Sequence, residues 1–196
     1  MLNGRTGKVG SVLGPGLEAA GHRLVDTLDA ADAMIDFTRP DVVLANVRAA
    51  IIAGVPSVVG TTGWDPQDVA GAKVAVFYAP NFAIGAVLMM RFAADAARYL
   101  ERAEIIELHH PAKLDTPSGT AKLTAERMGG NVPIHSVRLP GLNAHQEVLL
   151  GAPGELLTIR HDATSREAYT PGVLLALEKL ATLPPGVTVG LDALLP

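Results

Sequence analysis

The chain has 196 residues, 48% of them hydrophobic and 4% aromatic, with 16 basic against 20 acidic side chains and a net charge of −4. That length buries one good core or two small ones, and an acidic balance without a basic block argues against nucleic acid or an anionic membrane as partner. Zero cysteines exclude disulfides and thiolate metal sites and suit a reducing cytoplasm, while the longest apolar run, Ala83–Ala97, is broken by Arg91 and Asp95 and is too short for a membrane span.

In chain order, Gly4-Arg5-Thr6-Gly7-Lys8-Val9-Gly10 spaces three glycines as a tight turn and a close approach to a pyrophosphate require. Only Met1-Leu2-Asn3 precede it, so the first strand of such a fold is expected to be missing or shortened here. The next helix is expected to be interrupted at Gly14-Pro15-Gly16, and a second strand to be reduced to His22-Arg23-Leu24-Val25. Asp26 is the nearest residue that could read an adenosine ribose, and a surface aspartate opening a helix accounts for it equally well. Ala33–Phe37 reads as a buried strand. Thr38-Arg39-Pro40 then opens a helix through Ala53, with proline in the first turn and Gly54 just past the end. Val55–Val59 and Lys73–Tyr78 are further strands. Strands alternating with helices mean a parallel sheet with ligands at the carboxyl ends of its strands. The loops Gly60-Thr61-Thr62-Gly63 and Ala79-Pro80-Asn81-Phe82 fall at such ends.

Ala86–Leu100 reads as a helix whose stripe of Leu88, Met89, Phe92 and Ala96 is core packing. Four more strands are expected, at 103–108, Ile134–Arg138, Glu147–Leu150 and Glu155–His161, making a second sheet. A last helix runs from Ser165-Arg166-Glu167 to about Leu180. There is no internal repeat and no low-complexity linker.

The densest chemistry lies in Glu107-Leu108-His109-His110-Pro111-Ala112-Lys113-Leu114-Asp115-Thr116-Pro117-Ser118-Gly119-Thr120-Ala121. His109 and His110 close the strand, and adjacent strand residues face opposite sides. A core histidine beside a surface one would satisfy that pattern; a proton-moving histidine would satisfy it too. Lys113 is either a solvated loop lysine or a fixed positive charge in a site. Ser118-Gly119-Thr120 opens a helix, where it serves as an N-cap, a carboxylate cradle, or both. Glu107 and Asp115 read as ion-pair partners that orient the histidine and the lysine. His135, His145 and His161 do not have metal-ligand spacing, so no metal is expected.

The pattern E-x-H-H-x-x-K-x-D-x-P-S-G-T-A at residues 107–121 resembles the signature of the 4-hydroxy-tetrahydrodipicolinate reductase family. The glycine loop, Gly60–Gly63, the Ala79–Gly85 segment and the run from Gly154-Glu155-Leu156 to Arg166 agree in the family's order. The resemblance implies a Rossmann-like parallel-sheet domain, shortened at its N-terminus, over residues 1–82 and 166–196. It also implies an α+β substrate and oligomerisation domain with a four-stranded mixed sheet over 83–165. NADH or NADPH would lie on Gly4, Arg5, Thr6, Gly7, Lys8, Val9, Gly60, Thr61, Thr62, Ala79, Pro80, Asn81 and Phe82. A cyclic dicarboxylate would be held by His110, Lys113, Ser118, Gly119 and Thr120, with Lys113 donating the proton and His109 assisting. The implied assembly is a homotetramer. The sequence departs from the family between Gly21 and Ile35, where it is shorter, and at Gln146, where the family has a histidine; His145 is assigned no role. The rival expectation is a catalytically weakened homologue, a binding or assembly protein that has lost the first strand.

Overall fold

The structure, a computed structural model, describes all residues from Met1 to Pro196. It divides into two compact units, Met1–Ile84 with Arg166–Pro196, and Gly85–Ser165.

The first unit is a five-stranded parallel sheet in the order β1-β2-β3-β4-β9, formed by Leu2–Asn3, Met34–Asp36, Ser57–Val59, Ala75–Tyr78 and Gly186–Val189. β2 and β3 are buried along their whole length, as expected of a parallel sheet covered on both faces. Met34, Val59 and Val76 pack with Val43, Val47 and Ala50 of α2 (Pro40–Ile52). On the other side α5 (Thr170–Leu180) packs against β3 and β4, burying Val173, Ala176 and Leu180. α1 (Gly10–Ala19) lies beside α5 and buries Leu13 and Leu17. Gly16 allows that approach, since a Cβ there would stand 2.7 Å from Thr170 Cγ2.

The strand expected to be missing or shortened is shortened, and two other expectations are corrected here. The strand before the glycine loop is short but present: Leu2 and Asn3 pair in parallel with Ile35 and Asp36. The amino terminus donates to the Ala33 carbonyl at 2.8 Å. The structural premise of the weakened-homologue reading, loss of that strand, therefore falls. First, α1 runs unbroken through Pro15. Gly14 precedes the proline and has no Cβ to clash with the ring, so the usual penalty on a helical residue before proline is relieved. Finally, His22–Val25 forms no strand. From Ala20 to Ala33 the only regular structure is a single 3-10 turn at Leu28–Ala30. No apolar alternation holds that stretch to a sheet, and its polar residues are exposed.

The second unit is a four-stranded mixed sheet in the order β6-β5-β7-β8 (Ile134–Arg138, Arg102–His109, Ala144–Ala152, Glu155–Ala163). β5 is parallel to β6 and antiparallel to β7. Cross-strand partners share a face, so Ile105, Glu107 and His109 of β5 lie level with Val148, Gln146 and Ala144 of β7. α4 (Gly119–Arg127) buries Ala121, Thr124 and Ala125 and contacts β5 and β6. α3 (Ile84–Ala96) buries Ala86, Val87, Met89, Met90 and Ala93. Its buried stripe is thus one residue out of phase with the expected one at its carboxyl end, and Phe92 is 52% exposed.

The glycine loop is fixed by backbone contacts that no side chain could share. At Gly4 (φ +81°) a Cβ would lie 2.2 Å from the Phe37 carbonyl oxygen, and at Gly10 it would lie 2.0 Å from the Gly4 oxygen. Gly10→Ala is expected to cost about 1–3 kcal/mol, as over-packing does. Gly71→Ala, where nothing lies within 4 Å, is expected to leave the thermal midpoint unchanged; paired unfolding curves measure both.

Candidate functional site

In the second unit, β5 delivers the signature. Glu107 is fully buried on the inner face of the sheet, and His109, two residues on, shares that face. Glu107 Oε2 bonds His109 Nδ1. Its two oxygens also accept from Arg138 of β6, at 3.0 Å from Nη1 and 2.8 Å from Nη2. Burial works against the charge on Glu107, but the bonds from Arg138 and His109 outweigh it and hold the carboxyl below its usual range. His109 lies below the ordinary histidine value because burial disfavours the imidazolium. The nearby cations Lys113 and Arg138 act in the same direction, against the opposing bond to Glu107. A neutral His109 with Nδ1–H turned to Glu107 presents Nε2 as its acceptor.

Beyond His109 the chain turns, with the Lys113 N–H donating to the His110 carbonyl at 3.1 Å. Lys113 Nζ makes a two-pronged contact with Asp115, at 2.7 and 2.9 Å. The Asp115 carboxylate also accepts from the Gly119 backbone N–H; its bond to Lys113, ahead of that one, holds it below the usual carboxylate range. Two of the donors assigned to a substrate carboxylate, Lys113 and Gly119, are thus brought to one carboxylate of the chain itself. Ser118 is buried and caps α4, its Oγ accepting from the Ala121 N–H at 3.2 Å. Thr120 begins the helix, and its carbonyl accepts from the Thr124 hydroxyl at 2.7 Å. His110 is half-buried just past the end of β5, and Leu114 projects into solvent at 96% exposure.

Two residues of this unit went unassigned in the sequence. Arg138 clamps Glu107 and also donates to the Asp115 carbonyl at 2.9 Å, tying β6 to the Lys113 loop. Gln146 donates to Thr124 Oγ1 at 2.8 Å and so supports the first turn of α4 from below. The signal for Arg138 was a lone arginine closing a strand, which only sheet register relates to Glu107. His145 bonds Asp162 at 2.6 Å, and its Nε2 accepts from the Asn143 N–H at 3.2 Å.

In the first unit, the expected cofactor residues gather at the carboxyl ends of β1, β3 and β4. Arg5, Thr6, Gly7 and Lys8 are exposed at the tip of the loop ahead of α1. Thr61 is buried, and its hydroxyl donates to Asp36 Oδ1 at 2.6 Å while accepting from the Thr38 N–H at 2.6 Å. Asp36, missed in the sequence, closes β2 fully buried. It also accepts from the Thr38 hydroxyl at 2.7 Å and from Asn46 Nδ2 at 2.7 Å. One carboxylate thereby joins the loops after β2 and β3 to α2. Ala79 and Phe82 are core residues, Phe82 packing on Phe37 and Phe77. Their side chains are committed to packing, whereas Pro80 is exposed and Thr62 is exposed beside buried Thr61.

A parallel sheet with a glycine loop, carried in one chain with a histidine–lysine–helix-start constellation suited to a small anion, defines an α/β oxidoreductase. Residues 15–82 match the dihydrodipicolinate reductase N-terminus and residues 85–195 the dihydrodipicolinate reductase C-terminus. A 4-hydroxy-tetrahydrodipicolinate reductase of Desulfitobacterium hafniense is 49% identical over 83% of this chain and 72% of its own. One of Mycolicibacterium vanbaalenii is 44% identical over 98% of this chain and 96% of its own. The solved dipicolinate-bound dihydrodipicolinate reductase of Paenisporosarcina sp. TG-14 superposes with a TM-score of 0.83 at 30% identity, covering 99% of this chain and 98% of that one. The chain belongs to the dihydrodipicolinate reductase family.

Two outcomes are expected of this cluster. The native state keeps His109 neutral where the unfolded chain would protonate it, so stability is lost as pH falls below about 6.5. Glu107 adds a further loss below about 4.5, as its depressed native ionisation is titrated. Thermal midpoints across pH 4–8, on the order of a titration through both ordinary values, are expected to show the first loss reduced in His109→Asn. The remainder belongs to His161, which burial also lowers. Arg138→Met strands a buried carboxylate and is expected to cost about 3–5 kcal/mol, read by denaturant unfolding.

Proposed function

We propose that this chain reduces 4-hydroxy-tetrahydrodipicolinate to tetrahydrodipicolinate with NADH or NADPH, a step of lysine and diaminopimelate synthesis. The observation that carries the reading is the meeting of His109, Lys113 and the start of α4 on one loop at the end of β5. Residues 1–82 and 166–196 serve as the nucleotide-binding domain, and residues 83–165 as the substrate domain.

Gly4, Arg5, Thr6, Gly7, Lys8 and Val9, with the amino end of α1 behind them, suit a phosphate, since the loop's close backbone contacts admit only glycine at Gly4 and Gly10. Gly60, Thr61, Thr62, Ala79, Pro80, Asn81 and Phe82 would line the nicotinamide side, Thr61, Ala79 and Phe82 through backbone. The bound nicotinamide supplies hydride to the substrate.

The chain's own residues hold the dicarboxylate and supply the proton. His110, Lys113, Ser118, Gly119 and Thr120 take a carboxylate, Ser118 by shaping the helix start. Asp115 already sits on Lys113 and Gly119, so substrate binding is an exchange of one carboxylate for another. Preformed donors of this kind need little reorganisation. The substrate's 4-hydroxyl leaves as water, and Lys113 gives its proton to the hydride-reduced substrate, so that one hydride and one proton are added for each water released. His109, oriented by Glu107 and in turn by Arg138, assists that transfer.

We assign the outer face of the second sheet to a homotetramer interface. That face carries Ile106, Leu108, Val137 and Leu149 among the ion-paired Glu104, His135, Glu147 and Arg160, with Leu156 exposed at its edge, a mixed surface whose apolar residues burial against another copy would stabilise. No helix is long and apolar enough to cross a membrane, and a nicotinamide-dependent, cysteine-free enzyme suits the cytoplasm.

Lys113→Ala is expected to lower kcat by about two to four powers of ten while leaving the thermal midpoint and nicotinamide affinity nearly intact; retention of most turnover would remove Lys113 as the donor. Thr120→Val keeps the shape and deletes the hydroxyl. Pyridine-2,6-dicarboxylate is then expected to bind more weakly by about 1–3 kcal/mol with nicotinamide binding unchanged, both measured by calorimetry.

A further inference from the structure

We infer that the first unit holds the nicotinamide mononucleotide half of its cofactor and makes little use of the adenosine half. The inference rests on the reading above that this unit takes a nicotinamide nucleotide. A dinucleotide-binding sheet is built from two mononucleotide-binding βαβαβ halves in the strand order 3-2-1-4-5-6, and the ligand spans the crevice where that order reverses. The strand after the first helix lies beyond strand 1, on the side away from strand 4. From its end an acidic residue reaches the adenosine ribose.

This sheet has no reversal. Its order, β1-β2-β3-β4-β9, runs outward in one direction. The strand after α1 is β2, which lies between β1 and β3, in the place that strand 4 takes in the two-half scheme. Between Ala19 and Met34 the chain makes one 3-10 turn and no strand, so no strand from that span pairs with β1 on its far side. The second edge of β1 has no partner in the sheet. The alignment with the Mycolicibacterium relative runs over 237 positions against the chain's 196 residues, so that relative carries at least 41 residues that this chain lacks.

What the unit retains is one complete half. β2, β3 and β4 deliver the loops at Phe37–Arg39, Gly60–Gly63 and Ala79–Phe82, and the buried Asp36 locks the first two together. The glycine loop at the end of β1 and the start of α1 add a phosphate site. A mononucleotide has a nicotinamide, one ribose and one phosphate, and each meets a surface here. The adenine and its ribose meet none. Asp26, the nearest candidate for a ribose-reading carboxylate, is exposed in the irregular segment and closes no strand. The same absence removes any platform for a 2′-phosphate, so NADH and NADPH are bound alike.

The test is calorimetric titration of the full 196-residue chain with NADH, NADPH and reduced nicotinamide mononucleotide, with the ligand-induced rise in thermal midpoint as a second readout. The three dissociation constants are expected within about threefold of one another, under half of a tenfold step in free energy. Asp26→Ala is expected to change none of them by more than about twofold, and adenosine to leave mononucleotide binding undisturbed. If NADH binds about tenfold or more tightly than the mononucleotide, or adenosine competes, the inference is overturned and the cofactor reading stands. Binding of none of the three overturns the cofactor reading and the inference with it.

Discussion

A carboxylate with no solvent exposure stays charged only if its lost hydration is replaced, and at Glu107 the replacement is Arg138 on one side and His109 on the other. Most of the second unit's chemistry depends on that arrangement. Glu107 sets the direction of the imidazole, and Arg138 fixes Glu107 while reaching on to the Asp115 carbonyl. The strand that carries the histidine is thereby connected to the loop that carries the lysine. Removing either partner would leave an uncompensated charge in a low-dielectric interior, which is why such groups act together.

The first unit solves a similar problem with Asp36. Its carboxylate is buried and every partner comes from a different segment: Thr38 after β2, Thr61 after β3, Asn46 on α2. Thr61 has its hydroxyl turned inward to this network, while Thr62 beside it is exposed. The glycines of the first loop complement this by contact: Gly4 against the Phe37 carbonyl, Gly10 against Gly4. The two loops are shaped by inward interactions, which leaves their outer surface available.

At the start of α4, Asp115 is the internal partner of two neighbouring donors. It bridges Lys113 and the Gly119 N–H, so the two donors are pre-positioned by an internal anion. This keeps them from adopting other arrangements, the kind of pre-positioning on which the proposed carboxylate exchange relies.

Much of this was legible in the residues. The buried runs at Met34–Asp36 and Ser57–Val59, the proline-opened helix at Pro40 and the signature from Glu107 to Ala121 follow from hydrophobic pattern, turn chemistry and a recognisable motif, all of them local properties. The parts that were not legible are long-range. A two-residue β1 carries no periodicity, and its pairing depends on the edge offered by Ile35 and Asp36. Pro15 reads as a helix breaker until the glycine before it is seen to relieve the clash. β9 is a short run whose partner, β4, lies more than a hundred residues earlier. Arg138 and Gln146 join this cluster only because sheet register sets Arg138 opposite His109 and Gln146 opposite Glu107. The sequence by itself determined which residues carry the chemistry, because proton donors, glycines and helix caps are written in residue type and spacing. Which of them meet, and in what order the parallel strands lie, was decided by the tertiary structure, because strand order and register arise from pairings between segments distant in the chain.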